Sequence, residues 1–420
     1  MTQNTRLFKK TLLAVTVAMA SGQAMAAGFQ LNAQSATGIG RAFAGDAVIA
    51  DNASVMARNP AAMALFDKME LSLGFETITT DISAKNVTYK SPFGQTLDNT
   101  SYDDIGSTSV APNIHLIVPV NDKFAWGVNA YSNFGTKTEF SNDLTWSEFG
   151  GLTDVKSVNV GIAGSYRLND QWSFGAGLDL IYGTGKLQRT LGTDLLGGMI
   201  PKGTTLLDAD AAGFGVGFNV GTVFELDENN RFGFSYRYSP EIEAEGDIAF
   251  LPAGAKDSNG KLNLPLPDMA EFSGYHKIQD TKFAVHYSVQ WIGWSAFDTL
   301  DGTVNGSNQT FNDYEWQDGW HYAIGGTYYM NSDWTLRTGY MYDTSAQDQK
   351  TSVSVPDSDR QWFSAGATYH IDNASNVDIG FTYLLGEDVK VNETSSLGTS
   401  IEATTRADAI LFGLQYSRSF

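Results

Sequence analysis

Along most of the chain, apolar side chains recur at every second position. Phe214, Val216, Phe218, Val220 and Phe224 alternate with Gly213, Gly215, Gly217, Asn219 and Glu225. Trp172, Phe174, Ala176, Leu178 and Leu180 alternate with Ser173, Gly175, Gly177 and Asp179, and Val377, Ile379, Phe381 and Tyr383 with Asp378, Gly380 and Thr382. Successive side chains of a strand point to opposite faces, so a period of two predicts strands, not helices. The last such series, Ile410, Phe412, Leu414 and Tyr416, is broken by Arg418 and ends on Phe420. One face of every strand is apolar and the other polar or glycine, which suits a wall between lipid and a polar lumen.

Six short polar clusters separate the alternating stretches: Asn121-Asp122, Asn169-Asp170, Asp227 to Asn230, Gln279-Asp280, Asn331 to Asp333 and Asp372 to Asn376. Asn and Asp tolerate the left-handed conformations of tight hairpins. Longer polar stretches lie between them, among them Ser141 to Asp154, Leu191 to Asp210 and Asn305 to Asp313. Short turns at one end and long loops at the other mark an outer-membrane barrel, and six short turns with both termini on their side predict 14 antiparallel strands. Phe124, Trp126, Trp172, Phe232 and Trp334 follow the turns, where an interfacial aromatic girdle belongs. A soluble β-sandwich also alternates, but seldom runs to so many strands.

Residues 1–26 read as a secretory signal. Arg6, Lys9 and Lys10 precede an apolar run from Thr11 to Ala20, and Ala24-Met25-Ala26 is a small-x-small cleavage site. Such a signal argues against the cytosol and, with the barrel pattern, predicts the bacterial outer membrane as the destination. The chain carries a net charge of −20, and losing three cations makes the remainder more acidic still. Nucleic acid is excluded as a partner, because nothing would neutralise its phosphates. No cysteine is present, which removes disulfides and thiolate metal sites. Residues 68–420 are assigned to the transmembrane barrel. Residues 27–67 lack alternation, are rich in Gly and Ala, and carry Arg41, Asp46, Asp51 and Arg58. Open backbone cannot face lipid, so this segment is expected to be a lumenal plug, with a periplasmic tail as the alternative. Amphipathic stretches at Ala47 to Val55 and Ala61 to Phe66 favour a folded plug.

Several runs resemble the FadL family of long-chain fatty acid outer-membrane transporters. They are Gly28-Phe29-Gln30-Leu31-Asn32, Gly38-Ile39-Gly40-Arg41-Ala42, Arg58-Asn59-Pro60-Ala61, Ala111-Pro112-Asn113-Ile114-His115, Val120 to Phe124, Ser132-Asn133-Phe134-Gly135, Val355 to Arg360 and Asn376 to Gly380. Their order spans the mature chain. The resemblance implies a 14-strand barrel with an N-terminal hatch that includes Asn59, Pro60 and Ala61. It also implies passive uptake of hydrophobic molecules, long-chain fatty acids above all, from outer loops to an internal pocket. Exit is sideways, into outer-membrane lipid, at a kink in the third strand around Asn133, Phe134 and Gly135. The residues alone show alternation failing there, since Ser132 follows Phe124, Trp126, Val128 and Ala130. Either a bend or arrival at the membrane interface accounts for that.

For a carboxylate head group the resemblance points to Arg189 and Ser132, and to Phe29 as a hatch residue reaching the pocket. Arg189 shares the inward parity of 173, 175, 177 and 179; a loop-base arginine paired with an acid is the alternative. The resemblance also implies a lysine where Asp313 stands, in Asn312-Asp313-Tyr314-Glu315. Such an acid would repel a carboxylate, which leaves aromatic hydrocarbons and other neutral compounds as the alternative cargo. Catalysis would need a nucleophile and a base; only His286 and Ser288 share a strand face suggestively, and no third partner accompanies them. An open aqueous porin conflicts with a plug. Gly183 to Lys186 lacks the glycine spacing of a phosphate loop. Asp103-Asp104, Asp208 with Asp210, and Asp357 with Asp359 are read as solvated loop charge, not cation sites. No cofactor or metal is expected, and the barrel is expected to be a monomer.

The topology is testable because any introduced cysteine would be unique. Cysteines placed between 141 and 154 should react with an impermeant maleimide on intact cells, whereas those at 121, 169 and 331 should not; the reverse labelling would invert the orientation.

Overall fold

The computed structural model describes residues 28–420; the signal segment lies outside them. Fourteen antiparallel strands form one closed sheet. In chain order they are β1 Glu70–Lys90, β2 Thr108–Pro119, β3 Phe124–Tyr131 resuming as Gly135–Glu139, β4 Leu152–Arg167, β5 Trp172–Thr190 and β6 Thr205–Asp227. There follow β7 (Asn230–Tyr238, then Glu241–Phe250), β8 (Ala255–Pro265, then Met269–Lys277), β9 (Phe283–Ile292, then Thr299–Val304) and β10 (Ser307–Asp313, then Gly319–Tyr329). The last four are β11 Trp334–Asp343, β12 Arg360–His370, β13 Ser375–Gly386 and β14 Ser400–Ser419. Closure is a long ladder between β1 and β14, from Glu70↔Ser419 to Lys90↔Ser400. No sheet edge is left over, the condition for a sheet to live in lipid.

The alternation places side chains as the sequence implies. Phe214 and Val216 are 59% and 62% exposed on the outer surface, while Asp179 and Asn219 are buried inside. Among the described residues no helix is long and apolar enough to cross a membrane; the strands provide the span. Tight turns share one device. Asn121, Asn169 and Asn331 each accept two backbone N–H groups, from Lys123 and Phe124, Gln171 and Trp172, and Asp333 and Trp334, at 2.8–3.0 Å. The side chain thereby replaces a missing backbone acceptor at the tightest point of the hairpin. At the other end, two expected loops are shorter than read from the sequence. Asn305 and Gly306 alone make a left-handed turn, and Ser307–Asp313 is already strand. Likewise Thr205 to Asp210 belongs to β6. Polar strands standing above the bilayer lose the alternation that reveals strands within it, so they read as loop.

Residues 28–66 run through the lumen, nearly all buried. Short helices α1 (Ala36–Ile39) and α2 (Val55–Arg58) and a 3-10 turn, Pro60–Leu65, are joined by turns. Ala47 to Ser54 is turn and coil, not an amphipathic helix; Asn52 Oδ1 accepts from the Ser54 N–H at 3.0 Å and competes with helical pairing. Wall glycines let this segment approach. A Cβ on Gly339 would lie 2.0 Å from the Arg41 carbonyl oxygen, and one on Gly175 2.3 Å from the Ala61 nitrogen. Asn59 accepts from the Ala61 N–H (3.0 Å) and donates to the Thr222 carbonyl of β6 (3.1 Å), which positions Asn59, Pro60 and Ala61 on the wall.

Charge fastens the rest, buried at every member except Asp51, which is partly open to solvent. Arg41 pairs with Asp46 (2.5 Å) and Asp51 (2.7 Å), Arg58 with Glu271 of β8 (3.2 Å), and Arg337 of β11 with Asp51 (3.2 Å). Burial alone would raise the Asp51 carboxyl, but Arg41 and Arg337 outweigh it and hold it down at about 2. Its contribution is therefore complete above the ordinary carboxylate range and is lost only as pH falls toward 2. Breaking one partner of such a buried pair is costly, because the other charge is stranded.

The glycine contacts predict the effect of G339V. The added side chain overpacks the Arg41 backbone, costing about 1–3 kcal/mol. Limited proteolysis should then cut before Glu70, while the barrel keeps its heat-modifiable gel mobility; an unchanged digestion pattern would mean the segment is not held there.

Candidate functional site

The site begins at a break in the wall. Between β2 and β3 the ladder runs from Pro119↔Ala125 to Ile114↔Ala130 and stops. β2 continues to Thr108 beside β1. β3 turns inward and resumes at Gly135, now paired with β4 (Gly135↔Lys156). Three residues of β3, 132 to 134, stand against two of β4, since Tyr131 pairs with Asn159. That is a bulge, and it bends the strand. Ala130, Ser132 and Phe134, which would face lipid in a regular strand, are all buried together with Tyr131 and Asn133. The lapse of alternation seen in the sequence is thus the bend, not the interface. A contact from the Glu139 N–H to the Ile105 carbonyl (3.3 Å) closes the window above.

The N-terminus supplies the hydrogen bonds that β2 no longer gives. The Leu31 N–H donates to the Asn133 carbonyl (2.6 Å) and the Gly135 N–H to the Phe29 carbonyl (2.8 Å), with Gln30 bridged to Phe134. Gln34 Nε2 adds a bond to Asn133 Oδ1 at 3.0 Å. This pairing puts the Phe29 ring in an aromatic cluster, 4.5 Å from Trp294, 5.3 Å from Phe297, 5.7 Å from Trp316 and 6.3 Å from Phe134. Gly28, at φ 63°, wedges between Trp294 and Trp316, where a Cβ would approach the Trp294 ring to 2.6 Å. Trp294, Phe297 and Trp316 were missed in the sequence. They lie in the breaks between the two parts of β9 and of β10, outside the alternating stretches, and that misplacement of large aromatics was their only signal.

Above the cluster lies a cavity of about 660 Å³, within the range of small-molecule sites. Leu187, Leu207, Phe250, Leu300 and Phe311 form its apolar lining, and Arg189, Glu148, Asp313, Tyr314 and Glu393 its polar groups. Tyr314 packs tilted against Phe297 at 5.0 Å, so the aromatic contacts run from cavity wall through Phe297 and Phe29 to the kink.

Arg189 donates to the Leu152 carbonyl (2.6 Å), the Gln188 carbonyl (2.9 Å) and Thr153 Oγ1 (2.7 Å). No carboxylate among the described residues lies within ion-pair distance of it, against the alternative of a structural pair. Ser132 is buried in the bulge and does not line this cavity, so the structure separates it from Arg189. Asp313 does line the cavity, but it pairs with Lys350, which also meets Glu315 at 2.8 Å. A lysine therefore reaches this position from the loop before β12 and offsets the acid.

Other candidates resolve into structural roles. His286 Nε2 meets Thr327 Oγ1 (3.1 Å), while Ser288 Oγ lies 2.7 Å from Ser273 Oγ and accepts the Gly45 N–H (2.8 Å). The two do not address each other; they hold the lumenal segment. Asp357 is bound by Arg360 and Asp210 by Lys186 (3.1 Å). Gly183 to Lys186 lies within β5.

The chain matches the family model "Outer membrane protein transport protein (OMPP1/FadL/TodX)" over residues 17–420. It is 38% identical over 459 residues to the long-chain fatty acid transport protein of Escherichia coli K12, covering all of both chains. It is 33% identical to outer membrane protein P1 of Haemophilus influenzae, over 98% of this chain and 99% of that one. Among solved structures, a Pseudomonas aeruginosa FadL homologue superposes with a TM-score of 0.83 at 21% identity, over 94% of this chain and all of the other. The toluene transporter TodX of P. putida gives 0.66 at 16% identity, covering 88% and 94%; these two speak to fold alone.

The bulge can be removed. Deleting Asn133 brings β3 to the residue count of β4 and should restore the β2–β3 ladder. A barrel that inserts normally and loses uptake is expected; normal uptake by such a folded variant would exclude the window as the route.

Proposed function

Because the chain belongs to the outer membrane protein transport family that includes FadL and TodX, we propose that it carries long-chain fatty acids passively across the outer membrane and releases them sideways into lipid. The observation that bears most weight is the continuous aromatic contact from the outer cavity, through Phe29, to the inward bend of β3. The lumenal segment of residues 27–67 acts in this reading as a hatch whose first residues are the stopper. An acyl chain enters the cavity along Leu187, Leu207 and Leu300, and its carboxylate meets Arg189. Phe29 then moves aside, its bonds to Asn133 and Gly135 part, and the chain slides to the window.

Physical chemistry favours this path over one straight through. Each methylene kept out of water is worth about 0.8 kcal/mol. Below the aromatic cluster the lumen is polar, filled by residues such as Gln30, Gln34, Arg58, Arg237 and Glu271. A long apolar chain gains nothing there and much from lipid. The gradient supplies the drive. A second cargo, small aromatic hydrocarbons, is favoured by the ring-rich stopper.

Arg189→Gln separates the two. Removing a charge-assisted hydrogen bond of about 1.5–3 kcal/mol should weaken fatty-acid binding roughly 10- to 100-fold. A fatty alcohol of equal length should bind as before, and equal losses for both would make Arg189 structural. Wild-type protein that binds toluene but no fatty acid would transfer the function to the aromatic branch.

A further inference from the structure

We propose that Glu393 is a proton-holding partner of Arg189 in the outer cavity: an anionic head group settles on the guanidinium while the Glu393 carboxyl, in its neutral form, faces the same head group. This rests on the reading that Arg189 receives the head group, and extends it to how the site admits an anion at all.

The cavity poses a charge problem. Its single unpaired cation, among the described residues, is Arg189, from β5. Facing it are Glu393, from the hairpin strand Val389–Thr394, and Glu148, from the loop after β3. Asp313 at the end of the first part of β10 and Glu315 share Lys350, from the loop before β12. Tyr314 completes the titratable groups. With both glutamates ionised, Glu148, Glu393, Asp313 and Glu315 would set four negative charges against the two positive ones of Arg189 and Lys350, and a further anion at close range would be repelled in a medium less screening than water. One glutamate must give up its charge for the anion to enter.

Proximity singles out Glu393, the carboxylate within electrostatic reach of Arg189. Glu148 Oε1 already accepts from two hydroxyls, Tyr89 (2.7 Å) and Thr399 (2.6 Å). Glu393 has its bonds from the Val353 N–H and the Ser352 hydroxyl, and no cation at ion-pair distance among the described residues. Burial pushes its carboxyl up to about 7, against the smaller opposing effects of Val353, Arg189 and Ser352. It is thus the acid that changes charge near neutrality. The proton balance is simple. Below this value Glu393 is already neutral and the anion binds without proton exchange. Above it, binding takes one proton from solvent onto Glu393, and no covalent bond is made or broken. Anion affinity accordingly falls as pH rises through neutrality.

Three ligands of equal chain length test this on the solubilised full barrel: dodecanoate, dodecane sulfonate and dodecanol, by fluorescence displacement at pH 6 and pH 8. Both anions should bind about tenfold more weakly at pH 8, the span expected for one proton taken up across a group titrating near neutrality. Dodecanol should show no change. The sulfonate matters because it stays ionised throughout, so its profile reports a proton on the protein. Glu393→Gln should bind both anions at pH 8 as tightly as the wild type does at pH 6, with the slope gone, whereas Glu148→Gln should keep the slope. A flat wild-type profile, a sulfonate that ignores pH while dodecanoate does not, or a Glu393→Gln variant with the wild-type slope would each overturn the proposal. Arg189→Gln stands apart. If it weakened anions and dodecanol alike, the head-group reading would fail whatever the Glu393 slope.

Discussion

A strand that leaves its neighbour inside a membrane must find another set of hydrogen bonds. Lipid offers none, and each orphaned backbone group there costs several kcal/mol. In this barrel β3 parts from β2 above Ala130, and the Phe29 and Leu31 backbone takes up Asn133 and Gly135 from inside. Three features follow from that exchange. The wall acquires a window, the N-terminus acquires a fixed place, and the Phe29 ring is carried into the gap between cavity and window. Stopper and opening are held by the same few bonds, so moving one changes the other.

That arrangement demands that the rest of the N-terminal segment be immobile. Two kinds of contact achieve it. Backbone pressed on wall glycines, as Arg41 on Gly339 and Ala61 on Gly175, leaves no slack for sliding. The Arg41, Asp46, Asp51, Arg58, Glu271 and Arg337 charges fix orientation, since any displacement would strand a buried ion. The stretch from Gly28 to Leu31, bonded to Asn133 and Gly135, thus extends from a body held by glycine contacts and ion pairs.

The lumen is divided by the aromatic cluster into an apolar outer chamber with few charges and a polar inner one packed with them. Within the outer chamber Arg189 and Glu393 face one space, and the proposed choice of head group rests on their balance. Below, the dense polar network offers an acyl chain no gain. On the proposed route, selectivity and direction come from the same separation of chemistry along the barrel axis.

Some of this was legible in the order of residues alone. Strands within the bilayer declare themselves, because lipid and lumen demand opposite chemistry at alternate positions; Phe214 to Phe224 could be read without a structure. The Asn-based turns were equally plain, and with them the strand number. Arg189 could be placed inward by parity. Residues whose roles come from meeting partners distant in sequence were hidden. Nothing local marks Trp294 and Trp316 as the walls around Gly28, Lys350 as the partner of Asp313, or Glu393 as a neighbour of Arg189. The failed alternation at Ser132 was visible but ambiguous, because a bend and an interface relax the pattern alike. Local periodicity records which side of a wall a residue faces, and so the sequence by itself determined the barrel. What each inward side chain meets depends on closure of the sheet and the course of the chain inside it, and only the tertiary structure decided that.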